Sequence, residues 1–134
     1  MLAMPTFKPA GYNSLSPYHV VVGADRYIDF LVELFGGERL RRYSHDNRVV
    51  HAEVRIDDTV VMLSEASEQY GANAPITHLY VDDVDQLYAK AIAAGCEPIA
   101  EPTTRPDDPD RRGAFRDPFG NNWSVATQMK EETS

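Results

Sequence analysis

The chain has 134 residues, 43% of them hydrophobic and 25% charged, enough for one domain or for two small modules that share a core. A formal net charge of −8 at pH 7 opposes nucleic acid or an anionic membrane as a partner, since phosphate binding needs a basic surface. The single Cys96 has no partner for an intrachain disulfide, so a cytoplasmic location is expected, and neither a signal peptide nor a membrane-spanning stretch is read.

Residues 1–15, with scattered Pro and Gly and no apolar period, read as an N-terminal extension. The first module, residues 16–64, opens with an apolar β-branched strand over 18–22. Asp25 is expected to cap a helix in which Ile28, Leu31, Val32 and Phe35 recur at helical spacing, and Gly36-Gly37 stops it. A strand over 40–44 leads to a turn at Asp46-Asn47. Ala52, Val54 and Ile56 then alternate with His51, Glu53 and Arg55, the pattern of a half-buried strand. Asp57-Asp58 turns the chain into a last strand over 59–64. Arg39, Arg41 and Arg42, like Arg111 and Arg112 later, form small basic clusters suited to a solvated surface or to anchoring one anion.

Residues 65–76 read as a linker. The second module, residues 77–128, repeats the order. A strand over 77–81 precedes a helix capped by Asp83, with Val84, Leu87, Tyr88, Ala91 and Ile92 as its apolar stripe and Gly95 at its end. A short strand over 98–100 is expected to break into a proline-rich loop over 101–112. Strands over 113–116 and 122–126 follow, joined by the turn Asp117-Pro118-Phe119-Gly120. His19 and His78, Val22 and Val81, Gly36 and Gly95, and Glu38 and Glu97 are each separated by 59 residues, which marks an internal duplication. Residues 129–134 are polar and expected to be a disordered tail. The implied fold is α+β: two βαβββ modules forming a cup-shaped mixed sheet with the helices on its outer face.

Pro17-Tyr18 with Val20-Val21, Phe30 with Phe35-Gly36, His51-Ala52-Glu53, His78-Leu79-Tyr80-Val81 and Arg116-Asp117-Pro118-Phe119-Gly120 together resemble the vicinal oxygen chelate superfamily. Its glyoxalase/bleomycin-resistance group, and within that the PhnB-like branch, is the nearest pattern. The resemblance spans residues 16–128. Metal-dependent members carry His or Glu at four inner-strand points, which the resemblance puts on Ser16, Met62, Ile76 and Ser124. None of these side chains is an ordinary ligand for a divalent cation, so no metal and no other cofactor is expected. His51, Glu53 and His78 remain the one set from which an unconventional metal site could be improvised. The resemblance also implies a homodimer and a buried structural role for His19.

Strand parity supplies the candidate site. If Ala52, Val54 and Ile56 pack on the helices, His51 and Glu53 face the cup. The same parity sends Met62, His78, Tyr80, Asn122 and Ser124 to the concave side, where these seven residues would bind a ligand. Against that stands the plainer reading, in which the groups only satisfy one another. Phe115 and Tyr70 read equally as caps of the cup or as core or surface packing, and Asp107, Asp108 and Asp110 read as a solvated acidic loop. Cys96 follows a helix end, where a thiolate gains nothing from the dipole, and is not read as a nucleophile. Three functions are compatible with this set. The first is a metal-independent module that captures a small metabolite or toxin. The second is a metal-independent isomerase or lyase with His51 or Glu53 as acid/base. The third, and the least favoured by the four ligand points, is a metal-dependent glyoxalase or dioxygenase.

Overall fold

The computed structural model describes residues 7–131. The elements run β1 (Tyr18–Val21), α1 (Ala24–Phe35), β2 (Glu38–His45), β3 (Arg48–Ile56), β4 (Thr59–Glu65), β5 (Ile76–Tyr80), α2 (Val84–Ala93), β6 (Glu97–Thr104), β7 (Asp110–Arg116) and β8 (Asn122–Gln128). They form two four-stranded mixed sheets, ordered β1-β4-β3-β2 and β5-β8-β7-β6, with one βαβββ module in each. In both, the first strand runs parallel to the last and the remaining pairs are antiparallel.

Each helix covers one face of its sheet. Tyr27, Ile28, Leu31 and Leu34 of α1 are buried with Val21, Ala52, Val54, Ile56, Val61 and Leu63 of the strands. Ile28 and Leu31 belong to the expected stripe, while Val32 and Phe35 are only partly buried. The two modules meet through these helix-side faces. Phe35 packs on Trp123 with centroids 4.5 Å apart, Tyr27 meets Phe119 edge-on at 5.0 Å, and His19 Nε2 lies 3.1 Å from Thr77 Oγ1. His19 is wholly buried, with Nδ1 2.7 Å from the Tyr27 hydroxyl, and it is the structural residue the sequence implied. Burial drives its imidazole down to about 4.

Several local expectations are corrected. Asp25 does not cap α1. The N-cap is Gly23, and the Glu65 carboxylate at the end of β4 accepts the Gly23 and Ala24 amides, which leaves Asp25 free to bind Arg42 in a two-point ion pair. Asp83 does cap α2, accepting the Gln86 amide at 3.0 Å. The loop expected over 101–112 is confined to residues 105–109. Pro98 and Pro102 lie in β6, an outer strand of its sheet, whose register with β7 shifts between Pro98 and Ala100 and again between Ala100 and Thr103, as suits residues without an amide donor. Of the two readings of Phe115, core packing holds, since it is fully buried. The interval of 59 residues is also not uniform, because His19 faces the core whereas the side chain of His78 is exposed. An interval of 60 instead matches Ala24 with Val84 and Leu31 with Ala91, all four buried.

The Asp-Pro-Phe-Gly turn is built around one carboxylate. Asp117 is buried, and its Oδ1 accepts the amides of Phe119 and Asn121 while Oδ2 accepts Trp123 Nε1 at 2.8 Å. The turn thereby fixes the indole that joins the two modules.

Candidate functional site

The face of the first sheet turned away from α1 carries a connected polar cluster. Glu53 on β3 is opposite Met62 on β4, and Met62 is opposite Tyr18 on β1, so the three share that face. His51, two residues before Glu53, lies there too and is paired across the strands with Tyr43 of β2. His51 Nε2 is 2.8 Å from Glu53 Oε2, and the Tyr18 hydroxyl is 3.3 Å from His51 Nδ1. A neutral imidazole satisfies both contacts if Nε2 carries the proton, donating to the carboxylate and accepting from the phenol. The His51 side chain is 27% exposed and that of Glu53 only 4%.

The second oxygen of Glu53 is filled from outside the module. Tyr12, in the N-terminal extension, donates its hydroxyl to Glu53 Oε1 at 2.5 Å. The segment around it is pinned to the sheet by Arg55 Nη2 donating to the Gly11 carbonyl and by the Val60 amide donating to Asn13 Oδ1. Arg41 lies over the Tyr12 ring, 5.1 Å from its centroid, and 4.0 Å from Glu53. A β-bulge places it there. Arg39 pairs with Val54 and Arg42 with Ala52, so Leu40 and Arg41 together oppose Glu53. The bulge puts Arg39 and Arg42 both over α1, bound to Asp29 and Asp25, and sends Arg41 to the open side. Burial works to raise the Glu53 carboxyl, but hydrogen bonds from Tyr12 and His51, aided by His51 and Arg41 charge, hold it below the usual carboxylate range. The same bond to Glu53 raises the Tyr12 phenol.

The second sheet presents a separate cluster. His78 Nδ1 is 3.0 Å from Ser124 Oγ, and the His78 ring meets Tyr80 edge-on at 4.8 Å. The Tyr80 hydroxyl donates to Asp110 Oδ2 at 2.6 Å, and Arg112 binds the same oxygen at 2.9 Å. Asp110 is thus a buried acceptor rather than part of a solvated loop, and its hydrogen bond raises the Tyr80 phenol. Asn122 accepts from Arg116 Nε at 3.2 Å. Among the described residues, no hydrogen bond or ring contact joins the His51–Glu53 cluster to the His78–Tyr80 cluster. Each sheet brings together its own share of the seven expected residues: His51, Glu53 and Met62 on the first, His78, Tyr80, Asn122 and Ser124 on the second.

Sequence reasoning missed Tyr12, Tyr18, Arg41 and Tyr43. Tyr18 and Tyr43 follow from cross-strand register, which parity within one strand does not give. Tyr12 and Arg41 have no periodic signal, since one sits in an irregular segment and the other on a bulge. A groove of about 1260 Å³ between the modules is larger than the space around Glu53, but it joins an apolar floor of Leu34, Phe35, Leu79 and Leu87 to an acidic rim. It holds no hydrogen-bonded acid/base pair, so the Glu53 cluster is the better candidate site. Among the described residues, no three His, Cys, Asp or Glu side chains are grouped to hold a metal ion. Cys96 is buried, and burial pushes its thiol up to about 12, so it stays protonated at neutral pH.

The model of the Glyoxalase/Bleomycin resistance protein/Dioxygenase superfamily matches residues 19–125. The chain belongs to this superfamily. A Mycobacterium bovis protein without an assigned function is 35% identical over 133 residues, covering 88% of this chain and 85% of its own. The fold is similar to that of TioX from Micromonospora sp. ML1, with a TM-score of 0.69 at 24% identity over 86% of this chain and 99% of that one. It is also similar to TnmS3, an antibiotic-binding protein from Streptomyces sp. CB03234, with a TM-score of 0.66 at 22% identity over 87% of this chain and 99% of the other. No helix among the described residues is long and apolar enough to cross a membrane.

Proposed function

We propose that this glyoxalase-superfamily chain is a metal-independent binding protein that captures a small metabolite or toxin on the open face of its first sheet. The observation that carries the reading is the Glu53 cluster. A nearly buried carboxylate and an imidazole are hydrogen-bonded to each other and ringed by Tyr12, Tyr18 and Tyr43, on a face that no helix covers. Few polar groups among aromatic surfaces are what a small-molecule site needs. The antibiotic-binding role of TnmS3 supports the same reading. His78, Tyr80, Asn122 and Ser124 are proposed as the second wall of the site. They stand on an open sheet face where Tyr80 is 57% exposed and Ile76 79% exposed, and a homodimer that sets this face against the first-sheet face of the partner would bring the two walls together. A cytoplasmic location fits the lone protonated thiol.

A thermal-shift screen of antibiotics and polar metabolites tests the binding reading. A ligand that raises the melting temperature of the wild type and loses its effect in His51→Ala is expected, because a ligand that binds only the folded state stabilises it by mass action. A screen in which no chemical class shifts the wild type counts against it.

One contact favours a second reading, in which the protein is an isomerase or lyase acting by proton transfer. Glu53 orients His51, and His51 Nδ1 faces the Tyr18 hydroxyl, a chain along which a proton can move. Turnover of a bound ligand that His51→Ala abolishes while binding persists would select this reading.

A further inference from the structure

Glu53 and Tyr12 together state what the first-sheet face accepts. Among the described residues of the module, His51 alone hydrogen-bonds Glu53, at Oε2, while Arg41 stands 4.0 Å from Oε1. Oε1 lies under a side chain carried in by the extension. Without Tyr12, Oε1 would lose its close donor and keep only Arg41 at 4.0 Å, an unfavourable state for an anionic acceptor that water or a ligand hydroxyl must relieve. The position therefore demands a hydroxyl donor, and the guanidinium above it suits the face of an aromatic ring. Charge narrows the choice further. A carboxylate or phosphate placed there would meet the Glu53 anion, and an ammonium would meet Arg41. A phenol satisfies both neighbours. Besides Tyr12, hydrogen bonds from Arg55 to the Gly11 carbonyl at 3.1 Å and from the Val60 amide to Asn13 at 3.0 Å tie this part of the extension to the sheet, and neither involves the Tyr12 side chain that a ligand would displace.

We infer that Tyr12 is an internal stand-in for the ligand, and that the site takes a small hydroxyaromatic compound whose phenol displaces Tyr12 and donates to Glu53 beneath Arg41. The inference rests on the small-molecule reading above and names its ligand class.

The test uses the full chain carrying Tyr12→Ala, with 7-hydroxycoumarin and 7-methoxycoumarin as fluorescent probes. They share a ring system but only the first can donate, and the pH is held where its hydroxyl stays protonated. A charge-assisted hydrogen bond predicts that the hydroxy probe binds the variant roughly tenfold more tightly than the methoxy probe. It also predicts weaker binding of the hydroxy probe to the wild type, where the extension competes, and a smaller hydroxy-over-methoxy preference after Glu53→Gln in the same background. Tyr12→Phe, which keeps the ring and loses only the hydroxyl, guards against a loosened extension and should also bind the hydroxy probe better than the wild type does. Equal binding of the two coumarins to both variants, or binding of neither, overturns the inference. A non-aromatic ligand of the wild type that is lost in His51→Ala overturns the phenol class and leaves the small-molecule reading intact. A wild type and variants that bind no compound of any class overturn both.

Discussion

At the scale of single residues, Glu53 and His19 make opposite uses of burial. Glu53 is an anion held by donors. Replacing it with Ala leaves the Tyr12 hydroxyl and His51 Nε2 without their acceptor, and the expected cost is about 1–3 kcal/mol in chemical denaturation. Tyr12→Phe removes a donor that helps to keep the carboxyl low, so the Glu53 carboxyl should titrate at higher pH in that variant, which carboxyl-carbon NMR can follow. His19 is a base kept neutral. Its imidazole is lowered from 6.5 to about 4 in the fold, so below pH 6.5 the unfolded chain binds a proton that the native state refuses. Stability from this residue is complete above the unfolded value and is lost as the pH falls towards 4, in total about 3 kcal/mol. Urea titrations between neutral pH and pH 4 should show that decline, and His19→Gln should flatten it. An unchanged slope in the variant would mean that another group is responsible.

At the scale of elements, the passage from α1 to β2 is closely packed. A Cβ on Gly37 would stand 2.6 Å from Val54 Cγ1 and 3.2 Å from the Leu31 carbonyl, so Gly37→Ala should destabilise by about 1–3 kcal/mol through overpacking. Ile56→Ala, on the same packed face, should cost on the order of 2–5 kcal/mol by leaving a cavity. Melting of either variant together with the wild type would contradict a close helix–sheet contact. The same elements show what the sequence makes legible. Alternation along residues 51–56 identified β3, and helical spacing with Gly36 as a left-handed C-cap ended α1 correctly. Both signals are local and repeat within a few residues. The bulge that turns Arg41 towards Glu53, the Glu65 cap of α1 and the continuation of β6 through Pro102 are decided by neighbours distant in sequence, and no period announces them. Tyr12 is another such case, as its partner lies 41 residues away.

At the scale of the whole molecule, two modules share a helix-side core and leave two open sheet faces, each with a buried carboxylate bound to a tyrosine hydroxyl, Glu53 with Tyr12 and Asp110 with Tyr80. The exposed second face argues for a homodimer, and light scattering should give twice the 15.0 kDa of the chain. A particle of single-chain mass at micromolar concentration would remove that proposal. Metal independence has its own check. Protein purified without chelator should contain no stoichiometric transition metal, and one equivalent that disappears in His51→Ala would contradict it. The central claim, that the first-sheet face is the ligand site, is tested most directly by an amide NMR titration of the wild type with the best hit of the thermal-shift screen. The account predicts shifts gathered on the segment around Tyr12 and on β1, β3 and β4, centred on His51 and Glu53. Shifts gathered instead along the groove of Leu34, Leu79 and Leu87, with His51 and Glu53 unmoved, would contradict it.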